Sequence, residues 1–251
     1  MQQNLSPPSE KIALLRQSLV KPALAQEQAF VRLDHDEIDQ VLGGGLRLGA
    51  LHEVYAPAGH ETAATGFATG LAARLAQDKQ ILWIGQEFVW HEFGAPCPTG
   101  FFEFGLHPSR LMCLSVSNAQ DALRASGDAL TCKGLGAVVI ELTGNPKILD
   151  LTASRRLVLA AAQNSIPIIF LRFGAGPSAS AAETRWLVKA AASAPEDWGQ
   201  PVFDVSLIRN RNGRMGQWVL SWSCDNACFK NAKAAFGAVV STPANRQAEA
   251  A

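Results

Sequence analysis

From residue 49 to residue 173 the chain repeats one order, a short apolar run followed by a longer segment of helical character. "GALHEVYA", "QILWIG", "RLMCLSV", "LGAVVIEL" and "IPIIFLRF" read as buried strands, and "ETAATGFATGLAARLAQD", "NAQDALRASGDALTC" and "DLTASRRLVLAAAQNS" as helices between them. Consecutive strands joined by helices are parallel, because the helix must carry the chain back to the end where the strand began. The expected architecture is therefore α/β, with a central mostly parallel sheet flanked by helices. The pattern changes near the end, where "PVFDVSLIRNRNGRMGQWVLSWS" gives two strand-like runs around Asn212-Gly213, a hairpin signal. Antiparallel strands are thus expected at the C-terminal edge of the sheet.

Before the repeat, "HDEIDQVLGGGL" predicts a short helix with Ile38, Val41 and Leu42 on one face, stopped by glycines. "EKIALLRQSL" places Ile12, Leu15 and Leu19 at helical spacing ahead of Pro22, which predicts a detached N-terminal helix. From Asn226 onward small and polar residues dominate. The expected organisation is an N-terminal helix and linker over 1–29, a core domain over 30–225 and a partly disordered tail over 226–251.

Lys plus Arg equal Asp plus Glu at 22 each, so no global positive field draws nucleic acid or an anionic membrane. The N-terminus lacks the pattern of a signal peptide and no apolar run is long enough to span a bilayer, which points to the cytoplasm. The five cysteines are scattered, as reduced thiols would be, and Cys224 and Cys228 have no second pair to complete a metal site. No metal is expected.

The most informative stretch is "VYAPAGHETAATG", between the first strand of the repeat and its helix. That is where a nucleotide-binding protein carries G-x-x-x-x-G-K-[ST], whose glycines expose backbone N–H groups to phosphate, whose lysine neutralises it and whose hydroxyl holds Mg²⁺. Laid on that pattern, Ala56 stands at the first glycine, Glu61 at the second, Thr62 at the lysine and Ala63 at the hydroxyl, with Gly59 inside the loop. Two readings stand. The turn is purely structural, with Glu61 stabilising the helix N-terminus through its dipole. Or Thr62 and Thr65 hydroxyls still hold ATP and Mg²⁺, weakly and with little or no hydrolysis.

"LDHDEIDQVLGGGLRLGALHEVYAPAG" resembles the entry into the ATPase core of RecA recombinases, and the similarity runs in order through about residues 30–225. Within that RecA-like group, the degenerate loop, "RRLVLAAAQNSIPIIFLR" and "LIRNRNGRMGQWVLSW" resemble the ImuA family, inducible mutagenesis proteins also labelled SulA-like. The resemblance implies DNA repair through SOS mutagenesis: a component of error-prone translesion synthesis that acts with ImuB and, through it, a DnaE-type polymerase. It extends the partners to RecA itself, to a second copy of the chain and, weakly, to DNA. It also implies that Glu87, ending "ILWIGQE", stands at the catalytic glutamate of RecA, and that Glu141 in "AVVIEL" stands at the metal-binding acid. Arg172 and Phe173 then fall where RecA senses nucleotide, ahead of "GAGPSASAAET", which lacks the cations of a DNA clamp. Glu87, Glu141 and Arg172 are expected to meet at the C-terminal edge of the sheet, as a relic site or a self-satisfied ion pair.

Three further groups are singled out. Arg209, Arg211 and Arg214 surround one turn ahead of Trp218, as a contact for DNA or an acidic partner or as solvated hairpin charge. Phe88, Trp90, Phe93, Phe101, Phe102 and Phe104 crowd a loop-like stretch, as core caps or anchors for a partner. The N-terminal helix and the tail, with Phe229 and Phe236, are expected to bind partners, although the helix stripe could equally pack on its own domain.

Overall fold

A computed structural model describes residues 29–194, 199–211 and 213–233. Ile12, Leu15, Leu19 and Phe236 lie outside the described residues. Two short strands, β1 (Phe30–Val31) and β2 (Leu46–Arg47), pair around α1 (Asp36–Leu42). Then come β3 (Leu51–Ala56), α2 (Glu61–Ala76), β4 (Gln80–Gln86), two short helices α3 (Glu87–Phe93) and α4 (Pro98–Glu103), β5 (Leu111–Val116), α5 (Ala119–Ala129), β6 (Leu135–Thr143), α6 (Leu151–Asn164) and β7 (Ile168–Phe173). The chain continues through β8 (Thr184–Ala190), β9 (Val202–Asn210), β10 (Gly216–Ser223) and β11 (Cys228–Asn231).

Among the described residues β3 to β11 form one nine-stranded sheet in the order β11-β10-β9-β8-β3-β7-β6-β4-β5. The strands from β5 to β8 in that order are parallel, and β8 to β11 are antiparallel. Strand alternation divides the core in two. Val54, Trp83, Val139, Leu171 and Trp186 face α2, whereas Leu51, Ile84, Ile140 and Phe170 face α5 and α6. Asn118 caps α5 and Asp150 caps α6, each side-chain oxygen accepting an N–H in the first turn.

Small residues let α2 lie close to the sheet. A Cβ added at Gly66 would meet the Phe104 ring at 2.8 Å, and one at Gly70 would meet Phe229 at 2.8 Å and Trp222 at 2.9 Å. Those rings cannot step aside. Phe229 is held edge-on to Trp222 with centroids 4.8 Å apart, and Phe67 lies 5.0 Å from it on the other side. This corrects two expectations. Phe229 is a core residue, and the sheet runs past the expected boundary at 225, since β11 is its ninth strand and Asn231 Oδ1 accepts a 2.9 Å bond from His35 Nε2 at the start of α1.

The connection from β7 to β8 carries no helix. Residues 174–183 must return the chain past β3 to the start of a parallel strand, a distance an extended segment of that length covers at roughly 3.3 Å per residue. Its side chains are small enough to thread under α6, where the Ala181 N–H donates to Ser154 Oγ at 3.1 Å.

His52, within β3, is fully buried and neutral. Its Nε2–H donates to the Arg47 carbonyl at 3.0 Å, and its Nδ1 accepts from the Thr184 hydroxyl at 2.9 Å, which in turn accepts from Trp186. Burial pulls its pKa from 6.5 to about 4.

Two outcomes follow for stability. Between pH 6.5 and about 4 the unfolded chain binds a proton that folded His52 refuses, so stability is complete above that window and falls by about 3 kcal/mol across it. Denaturant titrations of wild type and His52→Gln should converge as pH drops from 7 to 4.5. Gly70→Ala, which in an open helix would stabilise, should here cost about 1–3 kcal/mol through ring displacement, read as a lower denaturation midpoint.

Candidate functional site

The turn joining β3 to α2 occupies the position of a phosphate-binding loop and is folded back on itself. The His60 N–H donates to the Pro57 carbonyl at 3.1 Å, and Gly59 takes a φ of 83°, which favours glycine at the third position of a turn. A backbone N–H that a phosphate loop would offer is therefore spent inside the turn, and Pro57 has none to offer. The His60 ring is also engaged, because its Nδ1 accepts from the Ala190 N–H at 3.0 Å and ties the turn to the end of β8. No side chain caps α2; Glu61 in its first turn supplies the negative charge that the helix dipole attracts.

Beside this turn, on the α2 face of the sheet, lies a cleft of about 680 Å³. Glu61, Thr62, Ala63 and Thr65 form one wall, α4 another, and the ends of β8 and β9 a third. Trp83, Phe101, Phe173 and Phe203 make it largely apolar, with Glu141 buried at its floor and Glu103 at its rim. Among the described lining residues there is no Lys or Arg. A triphosphate with Mg²⁺ does not fit this donor set: its charge would meet three carboxylates, no cation and a turn whose N–H is already bonded.

Glu141 accepts from the Trp83 indole N–H at 3.0 Å. Burial raises its pKa, and the N–H groups of Trp83 and Trp90 oppose that rise. The Trp90 N–H itself falls outside hydrogen-bonding geometry and is buried without a partner. Its ring packs against Gly85, where a Cβ would come within 2.2 Å of it. Glu87, at the start of α3, is exposed and 3.8 Å from His91.

The expected meeting of Glu87, Glu141 and Arg172 does not occur. In the β6–β7 register Glu141 pairs with Leu171 and Arg172 with Leu142, so alternation sends Glu141 to the α2 face and Arg172 to the opposite one. Arg172 instead donates to the Gly144 carbonyl at 2.8 Å and Asn145 Oδ1 at 2.9 Å, with its guanidinium 5.8 Å from the centre of the Tyr55 ring. Burial lowers its pKa, opposed by Tyr55 and Glu53.

The opposite face also holds an ion pair that the sequence reading missed. Arg185 Nε donates to Glu53 Oε2 at 2.5 Å, and its Nη2 reaches the Ser178 carbonyl and Ser180 Oγ. Tyr55 donates to the same Glu53 oxygen at 3.2 Å, and burial together with that carboxylate pushes its pKa up to about 12. The segment after β7 is thus strapped to the core by Arg185. A single carboxylate, Glu53, inside the otherwise uncharged run of β3 and a cation, Arg185, in "ETRWLVKA" were the available signal.

At the β9–β10 hairpin Arg211 and Arg214 are exposed, whereas Arg209 is half-buried and lies 3.4 Å from the Ser180 carbonyl. Trp218 turns inward against Trp186, with ring centroids 6.3 Å apart. The aromatic stretch forms two helices rather than a loop. Phe101 lies edge-on to Trp83 at 4.9 Å and Phe104 stacks on Trp222 at 5.3 Å, while Phe88 and Phe102 remain exposed.

The sheet order, the helix after β3 and the antiparallel edge define a RecA-like α/β protein. The RadB recombinase superposes with a TM-score of 0.55 over 81% of this chain and all of that one, at 16% sequence identity, which supports the fold. Protein ImuA of Caulobacter vibrioides, from strain NA1000 / CB15N and from strain ATCC 19089 / CIP 103742 / CB 15, is 33% identical over 198 residues, covering 71% of this chain and 77% of its own length. The chain belongs to the ImuA family. No protein-family model matches it. Among the described residues no helix is long and apolar enough to cross a membrane.

The Glu53–Arg185 pair carries a stability consequence. Arg185→Met strands a fully buried carboxylate and frees the strap, so unfolding free energy should drop by about 3–5 kcal/mol. Hydrogen exchange at residues 178–183 should accelerate together with that loss.

Proposed function

We propose that this chain is a RecA-like adaptor that does not hydrolyse ATP, acting in SOS-induced error-prone translesion DNA synthesis by binding ImuB and, through it, a DnaE-type polymerase. The single observation that carries the reading is the turn after β3: it bonds to itself, is followed by Glu61 instead of lysine, and opens on a cleft without a described cation. Phosphoryl transfer depends on positioning and on charge stabilisation of the phosphates, and the lack of a lining Lys or Arg among the described residues speaks against the second. Family membership supports the mutagenesis pathway, and the partners are part of this reading. In this reading the protein is cytoplasmic, reaches the nucleoid when recruited to damaged DNA, and uses no cofactor.

Isothermal titration with ATP and Mg²⁺ at high protein concentration, followed by ImuB in the same buffer, tests both halves. The expected result is no heat with nucleotide and a saturable ImuB isotherm. Micromolar nucleotide binding with turnover that disappears in Glu87→Gln would replace the adaptor with a DNA-dependent ATPase.

A further inference from the structure

The cleft beside α2 is large, and the charge of its lining is opposite in sign to what a nucleotide needs. Its floor is Glu141, only 7% exposed, with Oε2 bonded to Trp83 and Oε1 without a hydrogen bond among the described residues. An ionised carboxylate held that deep is costly unless a cation completes it. Aromatic rings line the cleft with it: Trp83 and Phe101 in edge-on contact, together with Phe173 and Phe203. A carboxylate among aromatic rings favours an ammonium or guanidinium group. Glu61 and Glu103 at the rim add charge of the same sign, which disfavours nucleotides and DNA alike.

At about 680 Å³ the cleft is far larger than one cationic head group. Its remaining wall is apolar, formed by Ala95, Pro96, Ala190, Pro201 and Val202 around the aromatic rings. A protein segment offers both chemistries at once, and interfaces concentrate their energy where such an anchor fills a desolvated pocket.

We infer that the cleft is a docking site for an extended segment of a partner protein, one that places an Arg or Lys side chain on Glu141 and flanking apolar side chains on the aromatic walls. The inference rests on the adaptor reading and adds to it the face and the chemistry of the contact. The strand-to-helix turn then shapes one wall of a peptide groove. Thr62 and Thr65 serve as polar neighbours of the bound backbone.

The test uses the full chain and fluorescein-labelled pentapeptides, acetylated and amidated, with a central arginine flanked by leucine and phenylalanine. Matched peptides carry norleucine or glutamate at the centre. Anisotropy should give the arginine peptide an affinity at least about tenfold above the norleucine one, with the glutamate peptide weakest. Glu141→Gln should weaken only the arginine peptide, by about tenfold, which removes the preference. Thr62→Lys, on an exposed rim position, should do the same by placing a competing cation in the cleft, and it keeps the test valid if the buried substitution impairs folding. Equal binding of the three peptides, or a preference that survives both variants, overturns the inference. If ATP and Mg²⁺ displace the peptide at micromolar concentration, the adaptor reading falls as well. If neither nucleotide nor any peptide binds while ImuB does, the adaptor stands and the groove is refuted.

Discussion

The fold depends on how closely α2 approaches the sheet. A helix of ordinary side chains stands off by the length of a leucine, and the glycines at 66 and 70 remove that spacing, so that Phe104, Trp222 and Phe229 fill the space instead. The helix thereby touches both the parallel strands β3, β4, β6, β7 and β8 and the antiparallel β9. One helix joins the two halves of the sheet into a single core. The intrinsic penalty of glycine in a helix, up to about 1 kcal/mol each, is offset by aromatic burial that no other residue at those positions would permit.

That same placement brings the N-terminus of α2 to the edge of the cleft, and there the chain departs from a nucleotide-binding protein. A helix N-terminus favours negative charge, and in this chain the charge is covalently supplied by Glu61. The field that would hold phosphate is answered internally. The His60 contact with the end of β8 fixes the turn in that closed form, and Trp83 orients the buried acid opposite. The site keeps the geometry of its fold class without the donors that fold class uses for chemistry.

The parallel half was legible because each unit combines an apolar run with a helix of distinct period, and the hairpin because Asn212-Gly213 sits between two such runs. β8 escaped because Arg185 and Lys189 interrupt its apolar pattern, and because a parallel crossover without a helix is rare enough that "GAGPSASAAET" read as a loop. β11 escaped because Cys228, Lys230 and Asn231 surround its one large apolar residue, Phe229, which then looked like part of a tail. The expected Glu87, Glu141 and Arg172 cluster failed because Glu87 begins α3 and is exposed, and because register parts Glu141 from Arg172. Position along neighbouring strands was read correctly, but which face each side chain takes depends on a one-residue offset that only the pairing of Leu142 with Arg172 reveals.

The place of β3 in the sheet has a consequence for how the chain is made. It is the first strand of the large sheet to leave the ribosome, yet both its neighbours, β7 and β8, come later in the sequence, and β8 cannot pair until the strap has crossed beneath α6. Strands β4, β5 and β6 can assemble locally during synthesis, whereas β3, with its buried His52 and Glu53, waits with two open edges. The strand at the centre of the finished molecule keeps both edges open until β7 and β8 have been made, and unpaired strand edges are what make nascent chains prone to association. The ImuA fold is thus most vulnerable during translation at the strand that becomes its most protected part.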